Sequence, residues 1–172
     1  MTKDLMIEIR SALSHQLRAA LNTLGIAIDT CPDTEWQKDH GDAPFLHVVF
    51  HTLFYADYYL GRDSIPFKDQ PFHKSNQDAF ADYEELDDRK PVHLYGKVFC
   101  RDYLQHCLAK VDAMLDTETS ETLIGDSGIS FRHCSRMELY IYGERHIQHH
   151  AAQLGLRIQQ ATGKELKWFA GH

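Results

Sequence analysis

Of the 12 histidines in this chain, five stand in two tight groups: His47 with His51, and His146 with His149 and His150. The pairs His47/His51 and His146/His150 are each four residues apart. On a helix that spacing puts two side chains one turn apart on one face, so two imidazoles reach a single metal ion. One such pair is a weak signal in so histidine-rich a chain, and each histidine alone reads as a core imidazole hydrogen-bonded to a neighbour. Two pairs on helices that must both face a bundle core are stronger. Three or four imidazoles converging there without an ion would leave unpaired polar groups buried at a cost.

Three neutral imidazoles suit zinc, nickel, copper or iron and leave coordination positions open to water or substrate. An ion held this way lowers the pKa of a bound water towards neutrality, or binds and deprotonates a thiol. The four cysteines, Cys31, Cys100, Cys107 and Cys134, include no C-x-x-C pair and suggest neither a zinc ribbon nor a disulfide framework. Cys100 and Cys107, seven apart, read as small core residues.

Four periodic stretches can carry these side chains. Leu5, Ile9, Leu13, Leu17, Ala20, Leu21 and Leu24 form an apolar stripe that ends at Cys31-Pro32-Asp33. A second helix is expected from about Ala43 to Leu60, with Asp42 as N-cap, Pro44 in the first turn and Gly61 as stop; it is apolar almost all round and should be the most buried. A third is expected from about Tyr95 to Asp116, with Leu104, Cys107, Leu108, Val111 and Leu115 on one face. The fourth runs from about Arg136 to Thr162, opened by the capping-box pattern Ser135-Arg136-Met137-Glu138 and stopped by Gly163.

Residues 61 to 94 hold Pro66, Pro71 and Pro91 among Phe67, Phe72, Phe80 and Tyr83. So long a connection inside a bundle is expected to be a crossover or a lid. The 172 residues suffice for one domain, 1–172, with its own core. Hydrophobic residues make up 43% and charged residues 25%, a globular composition. The net charge of -7, with no basic run, argues against nucleic acid and anionic membrane as partners. No apolar run approaches the roughly 20 residues of a membrane span, and Met1-Thr2-Lys3-Asp4 does not open a signal peptide, so a cytoplasmic location is expected.

The stretches Phe50-His51-Thr52-Leu53-Phe54-Tyr55-Ala56-Asp57-Tyr58-Tyr59-Leu60 and Arg145-His146-Ile147-Gln148-His149-His150-Ala151-Ala152-Gln153-Leu154 resemble the DinB-like (DinB/YfiT) superfamily of metal-binding four-helix bundles. The resemblance covers nearly the whole chain. It implies an all-α four-helix bundle with a long crossover between helices two and three, and ligands from helix two and from an H-x-x-x-H pair on the last helix. Carried over, these are His51, His146 and His150. The tract H-A-A-Q-L after the last ligand matches one subgroup, where many relatives have H-R-G-Q.

Around the ligands, His47 is expected to line the pocket one turn before His51, and Tyr55 to wall it. Tyr142 and Gly143 lie beneath His146, the glycine leaving room for substrate or for close packing. Gln153 could hold an imidazole N–H of His150. His149 points about a hundred degrees away from His150, Glu138 is read as a capping residue, and Asp57, nearly opposite His51 on the helical wheel, is expected to be solvated.

The family further implies a divalent metal, zinc or nickel foremost, a small-molecule substrate, and a low-molecular-weight thiol that attacks an electrophile in a transferase-like reaction. It also implies a homodimer, for which the sequence gives no interface. A non-catalytic metal-binding or stress-related protein is the alternative. Metal-dependent hydrolysis ranks lower, because no acidic residue stands at ligand spacing to serve as base.

Overall fold

The computed structural model describes residues 2–39, 43–81 and 93–170, and among them it is all-α, with only an isolated bridge between Asp126 and Ser135 outside the helices. Four long helices carry the fold: α1 (Lys3–Thr30), α3 (Phe45–Leu60), α6 (Lys97–Thr117) and α8 (Arg136–Thr162). Short helices fill the connections: α2 (Asp33–Trp36), α4 (Pro71–Ser75), α5 (Gln77–Ala81) and α7 (Ser120–Ile124), with a single 3₁₀ turn at Phe67–Asp69. No described helix is long and apolar enough to cross a membrane.

The helix ends follow local chemistry. Thr2 caps α1 by accepting from the Leu5 N–H, and Ser135 caps α8 by accepting from the Glu138 N–H at 3.2 Å. Gly163 stops α8 at φ +71°, a left-handed conformation that glycine adopts without steric cost. The second long helix begins at Phe45 rather than Ala43, because Pro44 holds the extended N-cap position instead of the first turn. The expected cap Asp42 lies outside the described residues, as do Tyr83 and Pro91. The third begins at Lys97, with Tyr95 still in the preceding extended segment and Gly96 as N-cap.

The helices pack in the cyclic order α1, α6, α3, α8. Side-chain pairs fix their directions. Arg18 meets Asp112 at 2.6 Å and Arg101 meets Asp29 at 3.1 Å, so α1 and α6 run antiparallel. Phe50 lies beside Phe99, and Asp57 beside Lys110, so α3 and α6 run parallel. His51 faces His150 while the Tyr59 carbonyl meets Arg136, so α3 and α8 run antiparallel. Two parallel neighbours cannot be joined by a tight turn; the connection from α3 to α6 must return along the 16 residues of α3, about 24 Å. That requirement accounts for the long segment after Gly61, the expected crossover.

The core is built from Leu17, Leu21, Leu24 and Ile28 of α1, Val49 and Leu53 of α3, Cys107 and Val111 of α6, and Ile147, Leu154 and Ile158 of α8, all essentially inaccessible. Cys100 and Cys107 are buried within it, as expected, and burial pushes both thiols up. Arg136 is also fully buried. It donates to the carbonyls of Tyr59, Leu60, Gly61 and Ser127 and to Glu118 Oε1. The last carbonyls of α3 lack intrahelical partners, and this guanidinium supplies both their hydrogen bonds and a cation at the negative end of the helix dipole.

Candidate metal centre

Antiparallel packing of α3 on α8 sets the second turn of α3 against the middle of α8, and there His51, His146 and His150 come together. One ligand-capable atom from each lies within 4.8 Å of the others, so the group could hold a metal ion. His51 Nε2 and His146 Nε2 are 3.2 Å apart. The rings of His146 and His150 are 4.6 Å apart, and that of His51 is 5.0 Å from His150. Two nitrogens bound to one zinc at about 2.0–2.1 Å with tetrahedral angles stand about 3.3 Å apart, so the His51–His146 separation matches a shared ion.

The donor set also fits chemically. Burial, with the charge of His150, lowers the His51 pKa to about 4, and burial, with the charges of His150 and His51, lowers that of His146 to about 3. Burial lowers His150 as well, against an opposing hydrogen bond with Gln153. All three imidazoles are therefore neutral at pH 7, the form that ligates. His150 Nδ1 donates to Gln153 Oε1 at 2.8 Å, which leaves the Nε2 lone pair for an ion. Gln153 thus stands where the sequence suggested. His146 Nδ1 is buried without a hydrogen-bond partner.

Tyr55 walls the group, its ring 4.9 Å from His51 and 5.7 Å from His146. Tyr59, one turn on, lies 6.2 Å from His146. Tyr142 stands edge-on to Tyr59 and lines, with Arg145, His146 and His149, an open hollow of about 510 Å³ beside His146. His149 is exposed, its ring 5.1 Å from His150 and outside the triad.

Four expectations are corrected. His47 does not turn towards the triad: its Nε2 lies 3.0 Å from the His93 carbonyl and its ring meets Tyr95 edge-on, on the side of α3 that faces the start of α6. Gly143 is not demanded by close packing, because a Cβ there would meet Tyr59 at an ordinary 3.8 Å. The described part of the crossover does not cover the triad; Phe67, His73 and Phe80 pack on the opposite side of α3, beside Asp57 and Tyr103. The loop before α8 comes closer, through Arg132, which meets Tyr59 and Tyr142.

Asp57 is the fourth. Far from being solvated, it is fully buried and accepts from His73 at 2.6 Å, Tyr103 at 2.9 Å and Lys110 at 2.5 Å, with His106 at 3.3 Å. Burial alone would raise its pKa, but the hydrogen bonds from His106 and His73 and the charge of Lys110 outweigh it and hold the carboxyl far below the usual range. Opposite His51 on the wheel means facing α6, not solvent. Asp57, His73 and His106 also have ligand-like geometry, but the Lys110 ammonium already sits on Asp57 Oδ1, where a metal cation would be repelled. This cluster is a charge-compensated hub. A cavity of about 550 Å³ beside it, between Tyr58, Phe67, His106 and Lys110, includes none of the three triad histidines.

No family model matches the chain, and no match is found among curated proteins or solved structures.

Proposed function

We propose that the chain is a DinB-like metal-dependent enzyme in which His51, His146 and His150 bind one divalent ion, zinc or nickel, for a transferase-type reaction of a low-molecular-weight thiol. The observation that carries this reading is the convergence of three neutral imidazoles from two helices, with no carboxylate among them and an open hollow beside one of them, His146. Support for the family comes from the two histidine motifs together with an all-α bundle whose second and third long helices run parallel across a long connection.

When bound, the ion supplies a Lewis acid that favours the deprotonated form of a thiol at an open position, and the thiolate is the nucleophilic form. The chain's own residues do the rest. His51 and His146 come from opposite helices and set the spacing, and Gln153 fixes the tautomer of His150. Tyr55 and Tyr59 exclude water from one side, while the hollow at Tyr142 leaves the other open to a small molecule. The buried cysteines, their thiols pushed up by burial, are not placed to serve as ligands or nucleophiles.

The test is elemental analysis of protein purified without added metal, followed by a screen for conjugation of small thiols to model electrophiles. One equivalent of metal with thiol-dependent turnover supports the reading. One equivalent of metal with no turnover favours the non-catalytic alternative, and absence of stoichiometric metal overturns both.

A further inference from the structure

Arg132 packs on Tyr142, which lines the hollow beside His146, and no carboxylate among the described residues pairs with it. Its Nη2 donates to the hydroxyls of Tyr59 and Tyr142, the latter at 3.1 Å. The guanidinium lies over three rings, 4.4 Å from Tyr142, 5.0 Å from Tyr59 and 5.4 Å from Phe131. It makes no ion pair with a carboxylate among the described residues, and its Nη1 makes no hydrogen bond there. Its Nε is buried and unpartnered. In a chain of net charge -7, carboxylates are abundant enough to have supplied a counter-ion.

The surroundings share this sign. The Arg132 charge is felt at His146 and that of Arg157 at His150, while Arg145 lines the hollow and lies 6.0 Å from the ring of Tyr142, one of the three that Arg132 contacts. Glu144 also lines the hollow, with Arg145 beside it, so one carboxylate stands against the three guanidinium groups. A cluster of arginines beside a divalent-metal site is unfavourable unless an anion joins them. Two phenols and three rings fix the guanidinium in advance, so little side-chain entropy is lost when a ligand arrives.

We propose that the small molecule received at the triad carries a carboxylate and that Arg132 binds it, with the free Nη1 aimed at the ligand. A carboxylate suits the site better than a phosphate, because Nη2 is already committed to two phenols and one free amino group matches a single negative charge. Arg132 is thereby a specificity-determining residue. This inference rests on the metal reading above.

The experiment uses cobalt-loaded protein and two thiols of equal size, 3-mercaptopropionate and 3-mercaptopropionamide, followed by the cobalt absorption spectrum. Metal stoichiometry is measured first. The wild type should bind the anionic thiol about ten- to hundredfold more tightly than the neutral one, the range expected for one charged hydrogen bond. Arg132→Met should abolish the preference while leaving the affinity for the amide unchanged, and Arg132→Lys should restore part of it. Both variants should retain one cobalt and wild-type helicity; if Met disturbs the loop, the Lys variant and the wild-type preference still decide. Stoichiometric metal with equal affinities for the two thiols overturns the carboxylate inference alone, whereas stoichiometric metal with no binding of either overturns it together with the thiol reading. Failure to bind cobalt overturns the metal reading and this inference with it.

Discussion

His51 Nε2 and His146 Nε2 face each other at 3.2 Å across the α3–α8 interface. At that distance two lone pairs repel and two N–H groups clash, so either one ring donates to the other or a cation stands between them. His51→Ala should therefore lose stoichiometric metal while keeping most of the helical signal, since the core residues of all four long helices remain. Metal per chain by elemental analysis and far-UV circular dichroism check this. Full occupancy in the variant would mean that the ion sits elsewhere.

The Gln153 amide, 2.8 Å from His150 Nδ1, selects the tautomer that leaves Nε2 free. Gln153→Leu should weaken metal binding by about 10- to 100-fold, as outer-shell losses typically do. His149→Ala should leave binding unchanged, and His47→Ala should act on stability rather than on the metal, because its partners are His93 and Tyr95. Competition with a chromogenic chelator measures all three.

The fully buried Asp57 and the partly buried Lys110 form an ion pair at 2.5 Å. Asp57→Ala takes the carboxylate from the partly buried Lys110 ammonium and from the buried His73 and Tyr103, and should cost about 3–5 kcal/mol, the usual result of removing one member of a buried ion pair. Adding Lys110→Met should recover part of the loss. Denaturant unfolding of the single and double variants gives the answer; additive losses would show that the two groups are not coupled.

The contrast between His51 and Asp57 shows what the sequence could reveal. Both lie on α3, yet only the histidines carry a spacing that announces their chemistry. A helical wheel gives the angle of Asp57 from His51 but not that a third helix fills that side. Its compensating partners His73, Tyr103, His106 and Lys110 are 16 to 53 residues away in the chain. The long helices were legible because each carries a stripe and an end signal: α8 occupies Arg136–Thr162 as read, bounded by Ser135 and Gly163. The roles of Arg132 and Arg136 are not legible, for the opposite reason. A lone arginine has no period, and three of the four carbonyls that Arg136 satisfies belong to the far end of α3.

That last arrangement is itself testable. Arg136 binds four carbonyls and Glu118, which is 3% exposed and also accepts from Arg62 and Tyr140. Arg136→Met keeps the volume but leaves the α3 carbonyls and the Glu118 carboxylate less satisfied, and should cost about 3–5 kcal/mol. Thermal unfolding should show the loss, and a wild-type midpoint would mean that water replaces the guanidinium without penalty.

The metal-free protein should also lose stability in a defined acid window. The ordinary histidine value is 6.5, whereas His51 titrates in the fold at about 4 and His146 at about 3. The unfolded chain therefore takes up protons first as the pH falls, and the stability from keeping these rings neutral is complete above about 6.5 and drains away towards pH 4 and 3. Asp57, whose folded value is also depressed, adds a loss of the same sign, but only below the unfolded carboxylate range near 4. The two contributions overlap only towards the acid end, where His146 is still titrating. His51→Gln should flatten the part between pH 6.5 and 4, while Asp57→Asn should alter only the acid limb. Bound metal competes with the same protons, so the loaded protein should hold its midpoint further into acid than the metal-free protein before both converge. The measurement is a thermal midpoint series from pH 7 to 3, with and without zinc, for the wild type and both variants. Identical profiles for wild type and His51→Gln would show that the buried imidazole does not resist protonation.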